Sequence, residues 1–310
     1  MMDRLQVVGL GLTSLDVLVR LKDMPTWRGG TRLSGFALDG GGMVGTAMVA
    51  AARLGARAGF IGTAGNDVAA KIKTESLAND GVDLSRLVRR DEPENQVILV
   101  CVEETTGERV FNGLKSLIRT PLRIDDLDRE YITSADYLHI DGFHYEAALQ
   151  AAKWMREAGK TVVFDGGTTS GGVGAEMRAL LEHVDVLICG AGFAPGLTGK
   201  RDTAEAGRAA LAFGPRIVVQ TLGAAGSHTT TVADDFSTPA FAVDVVDTTG
   251  AGDVFHGAYI VGLLHGWPLP AIAQFASAVA AIKCTRLGGR AGIPTFDETL
   301  AFLEQLGVKL

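Results

Sequence analysis

Cysteine is scarce in this sequence, and no export signal is visible. The 310 residues include three cysteines, Cys101, Cys189 and Cys284, which are far apart and form no Cys-x-x-Cys pair. This pattern predicts buried, reduced thiols rather than a disulfide framework or a redox motif. The chain starts Met-Met-Asp-Arg-Leu and passes directly into a short apolar run. We therefore expect no signal peptide and a cytoplasmic location.

Basic clusters and long apolar runs are also missing. The net charge is −7 and no run of Lys or Arg occurs. Nucleic-acid binding is not expected, because affinity for the phosphate backbone comes from clustered cations. The longest nearly apolar stretch, residues 269–282, contains Gln274 and Ser277 and is too short and too polar to cross a bilayer. We expect neither a nucleic acid nor a membrane as a partner.

Several catalytic motifs are absent as well. The sequence has no Gly-x-x-x-x-Gly-Lys-Ser/Thr and no Gly-x-Ser-x-Gly, which argues against a P-loop kinase and an α/β-hydrolase. Residues 40–45 match Gly-x-Gly-x-x-Gly, but no strand of a βαβ unit is predicted to end just before them, so a dinucleotide-binding fold is the weaker interpretation. His139, Asp141 and His144 form a weak candidate for a transition-metal site.

Short apolar runs alternate with helical patterns along most of the chain. Hydrophobic residues make up 47% of the sequence, enough for a large core. Runs rich in Val and Ile suit strands buried on both faces of a parallel sheet. The pattern predicts an α/β fold with a mostly parallel central sheet flanked by helices on both faces. The predicted strands are residues 5–10, 58–61, 137–140, 161–164, 184–189 and 216–221; the predicted helices are residues 43–54, 68–79, 146–158, 174–183 and 204–213.

Two segments break this alternation. Residues 15–38 predict short strands around Pro25, and residues 96–111 predict a hairpin with its turn at 104–108. From composition alone these segments are a β insertion into the α/β fold. The tail from Pro268 is predicted to be helical, and no internal repeat or low-complexity segment is found. We expect a single domain over residues 1–310.

The most informative run, residues 247–257, reads Asp-Thr-Thr-Gly-Ala-Gly-Asp-Val-Phe-His-Gly. An apolar strand is predicted over 241–246, and Gly250, Ala251 and Gly252 then open a helix. N–H groups at a helix start lack partners and lie at the positive end of the dipole, so they can bind a phosphoryl group. Asp253 would repel a resting phosphate, and its simplest role is to accept the proton of an attacking hydroxyl. The alternative is a carboxylate that only complements the helix dipole.

This run resembles the second signature of the PfkB, or ribokinase-like, family of carbohydrate and nucleoside kinases. The resemblance extends over about residues 6–293 and is greatest to the sulfofructose-kinase-like sugar kinases. It implies a ribokinase-like fold, in which about 15–38 and 95–115 form a small β-sheet lid over the sugar. It also implies ATP-dependent phosphoryl transfer to a sugar hydroxyl. The motifs that carry it are residues 7–11 with Asp16, Gly41-Gly42 with 50–55, 60–67, 81–83, 221–226, 244–257 and 283–294.

The resemblance assigns roles to individual residues. Asp253 is the general base, and the amides of Gly250, Ala251, Gly252 and Asp253 stabilise the phosphate in transfer. The sugar is implied to contact Asp16, Gly41, Gly42, Thr46 and Asp253. ATP, with Mg²⁺ bound to it, is implied to contact Thr221, Gly223, Gly226, Gly250, Gly252, Ser277 and Cys284.

A monovalent-cation site for K⁺ is a further suggestion of the resemblance. It would use Asp247, Thr249, Arg286 and Gly288. The alternative for Asp247 is a turn residue that caps the end of the preceding strand. Gly292 stands where a hydroxyl often occurs late in the loop, so the K⁺ dependence of this chain stays open.

Three departures from the family pattern bear on the substrate and the metal. Thr46 stands where Asn is usual. Gly190 and Phe193 stand where the family has Asn-x-x-Glu, which supports Mg²⁺ and phosphate. Residues 141–143 and Gly30 lack the cations that the sulfofructose subgroup uses for its anionic substrate. Arg28 and Arg32 would share a strand face with Gly30, and we expect that face to point to solvent. We therefore favour a neutral hexose or ketose.

Two rival functions and one assembly prediction remain. A nucleoside kinase would use aromatic lid residues to stack a base, and Trp27, Phe36 and Phe111 are candidates. The missing Asn-x-x-Glu would suit a sugar-binding regulator with weak or no catalysis.

Apolar lid strands such as 98–100 expose unpaired edges, and relatives in the family often dimerise through their lids. We expect a homodimer formed through the lid.

Overall fold

The computed structural model describes residues 4–169 and 171–309. It contains a central eight-stranded sheet, a four-stranded sheet and a two-stranded sheet. The strands are β1 (Val7–Leu10), β2 (Ser14–Leu21), β3 (Leu33–Gly41), β4 (Ala58–Ile61), β5 (Thr63–Ala64), β6 (Val88–Arg89), β7 (Val97–Glu103), β8 (Arg109–Gly113), β9 (Tyr137–Ile140), β10 (Thr161–Asp165), β11 (Val186–Gly190), β12 (Ile217–Thr221), β13 (Ser227–Thr230) and β14 (Asp235–Thr238).

The central sheet has the strand order β14-β13-β12-β11-β10-β9-β1-β4. The six strands β4, β1, β9, β10, β11 and β12 pair in parallel, and β13 and β14 add an antiparallel edge. Successive side chains alternate between the two faces, and both faces are covered by apolar helices. This confirms the predicted fold class, because strands buried on both sides must be apolar throughout.

In the described residues, ten α-helices lie between and after these strands. They are α1 (Met43–Arg53), α2 (Val68–Ala78), α3 (Arg129–Ser134), α4 (Tyr145–Glu157), α5 (Ala175–Leu181), α6 (Phe193–Thr198), α7 (Thr203–Ala210), α8 (Ala251–Leu264), α9 (Leu269–Lys283) and α10 (Phe296–Gln305). One face of the sheet packs against α1, α8, α9 and α10, and the other packs against α3 to α7. Within the described ranges, no helix is long and apolar enough to cross a membrane.

The four-stranded sheet, which we call the lid sheet, has the order β3-β2-β7-β8. Its inner face carries Leu18, Val100 and Val102, which are buried together and pack against Leu287. Its outer face exposes apolar side chains, among them Phe36. The lid sheet therefore buries an apolar cluster on its inner face and exposes apolar side chains on its outer face.

Two local predictions were wrong. Residues 241–246 form no strand, although the segment is apolar, because its backbone contact is with a helix end: the N–H of Val246 donates to the carbonyl oxygen of Cys284 at 2.9 Å. Residues 28–32 are also not a strand, because Thr26 and Gly29 close a tight turn by pairing with each other. The alternation argument for Arg28 and Arg32 therefore fails, although both are exposed as expected.

Candidate active site

Three strands of the central sheet end at one place. Asp141 follows β9, Asp165 ends β10, and Gly190 ends β11. In open α/β sheets, ligands bind beyond the carboxyl ends of the parallel strands. The N-terminus of α8 and the inner face of the lid sheet approach the same region, as the contacts below show.

The start of α8 is shaped to bind an anion. Gly250 is the N-cap in the left-handed conformation, with φ of 73°, which favours glycine. A Cβ atom on Gly250 would lie 2.9 Å from the carbonyl oxygen of Gly289, whereas one on Gly252 would meet nothing within 4 Å. Within the described chain, the N–H groups of Gly252 and Asp253 have no hydrogen-bond acceptor. Two backbone donors therefore point out of the helix end.

Asp253 lies beside these donors, in the first turn of α8. Burial raises the pKa of Asp253 above its usual range, and the charges of Asp165 and Asp16 raise it further, while Arg109 and Arg290 oppose the shift. Burial likewise raises the pKa of Asp165. A carboxylate whose protonated form is favoured in this way is a stronger base than an exposed one.

Asp16 on β2 is almost fully buried, with 4% of its surface exposed. The hydroxyl of Ser14 donates to its Oδ1 atom at 2.6 Å. Burial raises the pKa of Asp16 to about 6, and the Ser14 hydrogen bond and the charge of Arg290 oppose this. The inner lid face therefore presents a carboxylate that can accept hydrogen bonds from hydroxyl groups.

The glycines before α1 make room for side chains. A Cβ atom on Gly41 would overlap the carboxylate of Asp16, and one on Gly40 would overlap Arg290. Gly42, with φ of 84°, lies against the backbone of Leu12 and Thr13. The sequence interpretation gave Gly41 and Gly42 a direct approach to the sugar. The described contacts show an internal reason for both glycines, and their contact with a sugar stays a prediction.

Arg290 is hydrogen-bonded to residues around these glycines, which we call the floor of the site. The sequence analysis gave Arg290 no role. Its side chain is fully buried. Its guanidinium group donates to the Gly41 carbonyl oxygen at 2.6 Å, to Thr13 Oγ1 at 3.0 Å and to Thr46 Oγ1 at 3.3 Å. Thr46, predicted as a sugar contact, is itself fully buried and bonded to Arg290. No spacing signal distinguishes such an arginine from an exposed one, which is why it was missed.

The tip of the lid hairpin docks next to α8. The N–H and Oγ1 of Thr248 both donate to the carbonyl oxygen of Gly107, at 3.3 and 2.9 Å. Arg109, two residues later, pairs with Val102 and so lies on the inner face of the lid sheet. Because the charge of Arg109 opposes the pKa shift of Asp253, its guanidinium lies within electrostatic reach of that carboxylate.

The comparisons with known proteins agree with this geometry. The model of the pfkB family of carbohydrate kinases matches residues 7–296. The chain belongs to the PfkB family. It is thus an ATP-dependent phosphotransferase that acts on a hydroxyl group, as the sequence motifs predicted.

Individual PfkB relatives differ in substrate. The chain is 28% identical to an ATP-dependent ribose-1-phosphate kinase of Halopiger xanaduensis, with 97% of this chain and 98% of the relative covered. It is 30% identical to an aminoimidazole riboside kinase of Salmonella typhimurium, with 85% and 87% covered. A crystal structure from Agrobacterium tumefaciens, assigned as a ribokinase, superposes with a TM-score of 0.87 at 26% identity, covering 98% of this chain and 99% of that one. These matches confirm the ribokinase-like fold and leave the sugar open.

Apart from those at the start of α8, the residues predicted to contact ATP lie at the end of β12, in the loop that follows it, and around α9. Thr221 ends β12, and its hydroxyl donates to the Cys189 carbonyl oxygen at 3.3 Å. A Cβ atom on Gly226, where φ is 93°, would overlap the carbonyl oxygen of Thr238, whereas one on Gly223 would meet nothing within 4 Å. Ser277 and Cys284 are buried on and just after α9. Gly223 is thus the more open of the two loop glycines.

The two positions that the resemblance assigns to Mg²⁺ support, Gly190 and Phe193, carry no carboxylate. Gly190 ends β11, and a Cβ atom there would overlap Thr168 Oγ1. Phe193 begins α6 and is buried in the core. Neither residue offers a side-chain oxygen, and the assignment of these two positions to Mg²⁺ support stays a prediction.

The trio His139, Asp141 and His144 does not converge. Asp141 accepts hydrogen bonds from the N–H groups of Leu12 and Phe143, at 2.7 and 3.0 Å. His144 Nδ1 accepts one from the Leu122 N–H at 3.1 Å.

His139 instead lies with two other buried residues, Asp165 and His256. Its ring centre is 5.2 Å from that of His256, whose Nε2 atom is 3.6 Å from Asp165 Oδ2. In the part of the chain that the structure describes, His139, Asp165 and His256 are the one group close enough to share a metal ion. Burial lowers the pKa of both histidines, so they are neutral at physiological pH and offer Asp165 no positive charge.

The loop before α8 is held by Asp247. Its Oδ1 atom accepts from the Thr249 N–H and its Oδ2 atom from the Gly288 N–H, both at 2.8 Å. Lys283, at the end of α9, donates from Nζ to the Asp247 carbonyl oxygen at 2.9 Å. Arg286 is exposed. Of the residues predicted for a cation site, Thr249 and Gly288 thus both donate a backbone hydrogen bond to the carboxylate of Asp247.

Proposed function

We propose that this PfkB enzyme transfers the γ-phosphate of ATP to a hydroxyl of a small neutral sugar, with Asp253 as the general base. One observation carries the proposal: a carboxyl group of raised pKa lies beside two N–H groups of α8 that have no acceptor. The base would take the hydroxyl proton as the amides stabilise the negative charge on the transferring phosphate. Each well-placed donor of this kind contributes roughly 3 kcal/mol.

The sugar would lie between the lid sheet and the central sheet. Asp16 would accept hydrogen bonds from two hydroxyl groups and so orient the acceptor oxygen toward Asp253. Gly41, Gly42 and Thr46 would form the pocket wall. Support comes from the charge of Asp16, which contributes to the raised pKa of Asp253.

ATP would bind beside the same helix start. The amides of Gly250 and Gly252 would contact the γ-phosphate, and Thr221, Gly223 and Gly226 the other phosphates. The base would lie near Ser277 and Cys284. Mg²⁺ would enter with ATP and neutralise charge on its phosphates. Arg109 is the lid cation within electrostatic reach of Asp253, where it would face the phosphate in transfer.

A neutral sugar is favoured because the basic groups near the floor of the site are already engaged. Arg290 is fully buried and bonded to the protein. Arg28 and Arg32 are exposed in and after a surface turn. A buried anion without a cation or several donors loses its hydration uncompensated. We assign Arg109 to the phosphate of ATP, which leaves little to bind an anionic sugar.

A nucleoside substrate is less well supported. Of the three aromatic candidates for stacking a base, Trp27 is fully exposed and Phe36 lies on the outer face of the lid sheet. Only Phe111, which pairs with Val100, lies on the inner face. Phe111 alone offers one stacking surface. A nucleoside base held between two aromatic rings would need a second ring on the inner face.

A kinetic panel tests the substrate proposal. Neutral hexoses and ketoses, nucleosides, sugar phosphates, sulfosugars and sugar acids would be compared under identical ATP and Mg²⁺ concentrations. The proposal expects the highest kcat/KM for a neutral sugar. An anionic sugar that is better by more than about tenfold, roughly 1.4 kcal/mol of transition-state binding, would contradict it, and Arg109→Ala would then be the first variant to make.

We further propose a cytoplasmic homodimer in which the outer faces of two lid sheets meet, each chain being a single domain. Phe36, Leu38, Leu99 and Val110 are between 41% and 62% exposed and form one apolar strip, as their strand pairing puts them on a common face. Exposed apolar strips commonly mark protein–protein interfaces. A two-fold axis would place the strip of one chain against the same strip of the second chain. Light scattering at micromolar concentration would show a dimer mass, and Phe36→Asp should shift it to a monomer; a wild-type monomer would refute this arrangement.

A further inference from the structure

Lys283 is an unusual residue for the end of a helix, because its side chain is fully buried. Its Nζ atom donates a hydrogen bond of 2.9 Å to the carbonyl oxygen of Asp247. Burial lowers the pKa of Lys283, and the charge of Asp247 opposes this shift. A lysine is rarely buried unless an acidic partner compensates its charge. The contact therefore places a cationic side chain inside the loop that precedes α8.

This loop is also where the family resemblance suggests a K⁺ ion, and the residues present do not fit one. K⁺ is bound in proteins by oxygen atoms, chiefly carbonyl oxygens. All three oxygens of Asp247 already accept hydrogen bonds, from Thr249, Gly288 and Lys283. Gly288 turns its N–H group toward Asp247 rather than its carbonyl oxygen. A second cation here would also lie next to an ammonium group in a buried site, where like charges repel strongly.

We infer that the ammonium group of Lys283 replaces the monovalent cation, so that phosphoryl transfer by this enzyme is independent of K⁺. Lys283 is a positioning residue in this account, because it touches neither substrate nor ATP. It fixes the Asp247 carbonyl, while the Asp247 carboxylate fixes the N–H groups of Thr249 and Gly288. Gly250 follows in the same turn and caps α8. The internal charge thereby holds the anion-binding amides in place, and the catalytic part of the inference rests on the proposed function.

The first test uses the wild-type protein and needs no variant. Its kcat and its melting temperature would be measured in KCl, NaCl and choline chloride at equal ionic strength. The inference expects kcat to vary by less than about twofold and the melting temperature to be the same in the three salts. Activation by K⁺ of more than about fivefold, or a stabilisation specific to K⁺, would overturn it, because a ligand that binds the folded state raises its stability.

The second test removes the internal cation. Lys283→Ala should lower kcat at least about tenfold in NaCl, and NH₄⁺, which has the same chemistry as the lost group, should restore part of both kcat and melting temperature. Lys283→Met, which keeps the length without the charge, should lower kcat without rescue. The exposed Lys71→Ala is the matched control and should resemble wild type. Full activity of Lys283→Met, or no effect of NH₄⁺ on either property of Lys283→Ala, would overturn the inference.

The two measurements separate this inference from the proposed function. If no sugar is phosphorylated, the proposed function fails, but the melting temperatures still report whether K⁺ binds the wild-type protein. If sugars are phosphorylated and K⁺ activates the wild type, the proposed function stands and the role of Lys283 fails.

Discussion

Asp39 Oδ2 accepts a hydrogen bond from the Arg290 N–H at 2.8 Å, and a second from the Ala291 N–H at 3.0 Å. Asp39 is on lid strand β3, whereas Arg290 belongs to the loop that packs against the start of α8. One carboxylate therefore joins the lid sheet to the loop behind the anion-binding amides. The charge of Asp39 also favours the charged form of the buried Arg290.

Loss of Asp39 should loosen this connection. Asp39→Ala leaves the partly buried N–H groups of Gly40 and Arg290 without their acceptor, which typically costs about 1–3 kcal/mol each when no water replaces it. The Ala291 N–H is exposed and can bond to water instead. We expect a lower free energy of unfolding in urea and a higher KM for the sugar, because the lid would be held less firmly. The exposed Asp23→Ala is the control. Equal stability and KM in the two variants would show that the contact has no such role.

Gly41 should be intolerant of even a methyl group. A Cβ atom there would overlap the carboxylate of Asp16, so Gly41→Ala must displace the residue that we assign to sugar binding. We expect a rise in sugar KM of at least about tenfold, about 1.4 kcal/mol, with little change in the KM for ATP. Gly30→Ala is matched to it, since a Cβ atom on Gly30 meets nothing within 4 Å. Similar sugar KM values for the two alanine variants would count against the placement of Asp16.

The sequence predicted the parts of the site that depend on local pattern. The helix start with Gly250, Gly252 and Asp253 is where residues 247–257 indicated, because small residues and a following helical pattern are visible in one segment. Residues 241–246 show the limit: an apolar run becomes a strand only if a neighbouring strand pairs with it. Arg290 and Lys283 were missed for a related reason, since burial of a charged side chain depends on partners distant in the sequence, such as Thr13 and Asp247.

Asp165 should shift the pH dependence of catalysis. Burial is the largest cause of the raised pKa of Asp253, and the charge of Asp165 is the next. A general base works only when it is deprotonated. The value of kcat/KM should therefore rise with pH through the pKa of Asp253. Asp165→Asn removes a negative neighbour and should move this acidic limb to lower pH. A pH profile whose acidic limb is unchanged, or moves to higher pH, would show that the two carboxylates are not coupled in this way.

The same shift predicts an effect on stability. Because burial raises the pKa of Asp253 in the folded state, the contribution of this group to stability is full below the unfolded pKa and is lost as pH rises through the folded pKa. At alkaline pH the folded protein holds an unfavourable charge at this position. Asp253→Asn should therefore be at least as stable as wild type above the folded pKa, in thermal unfolding followed across pH.

Turnover by Asp253→Asn tests the central claim most directly. The amide keeps the shape of the side chain but cannot accept the proton, so kcat should fall by roughly 10²–10⁴, the usual contribution of a positioned general base. Sugar and ATP affinities, measured by calorimetry on the same preparation, should change little. A variant that binds both substrates and turns over at near the wild-type rate would contradict the assignment of Asp253 as the base.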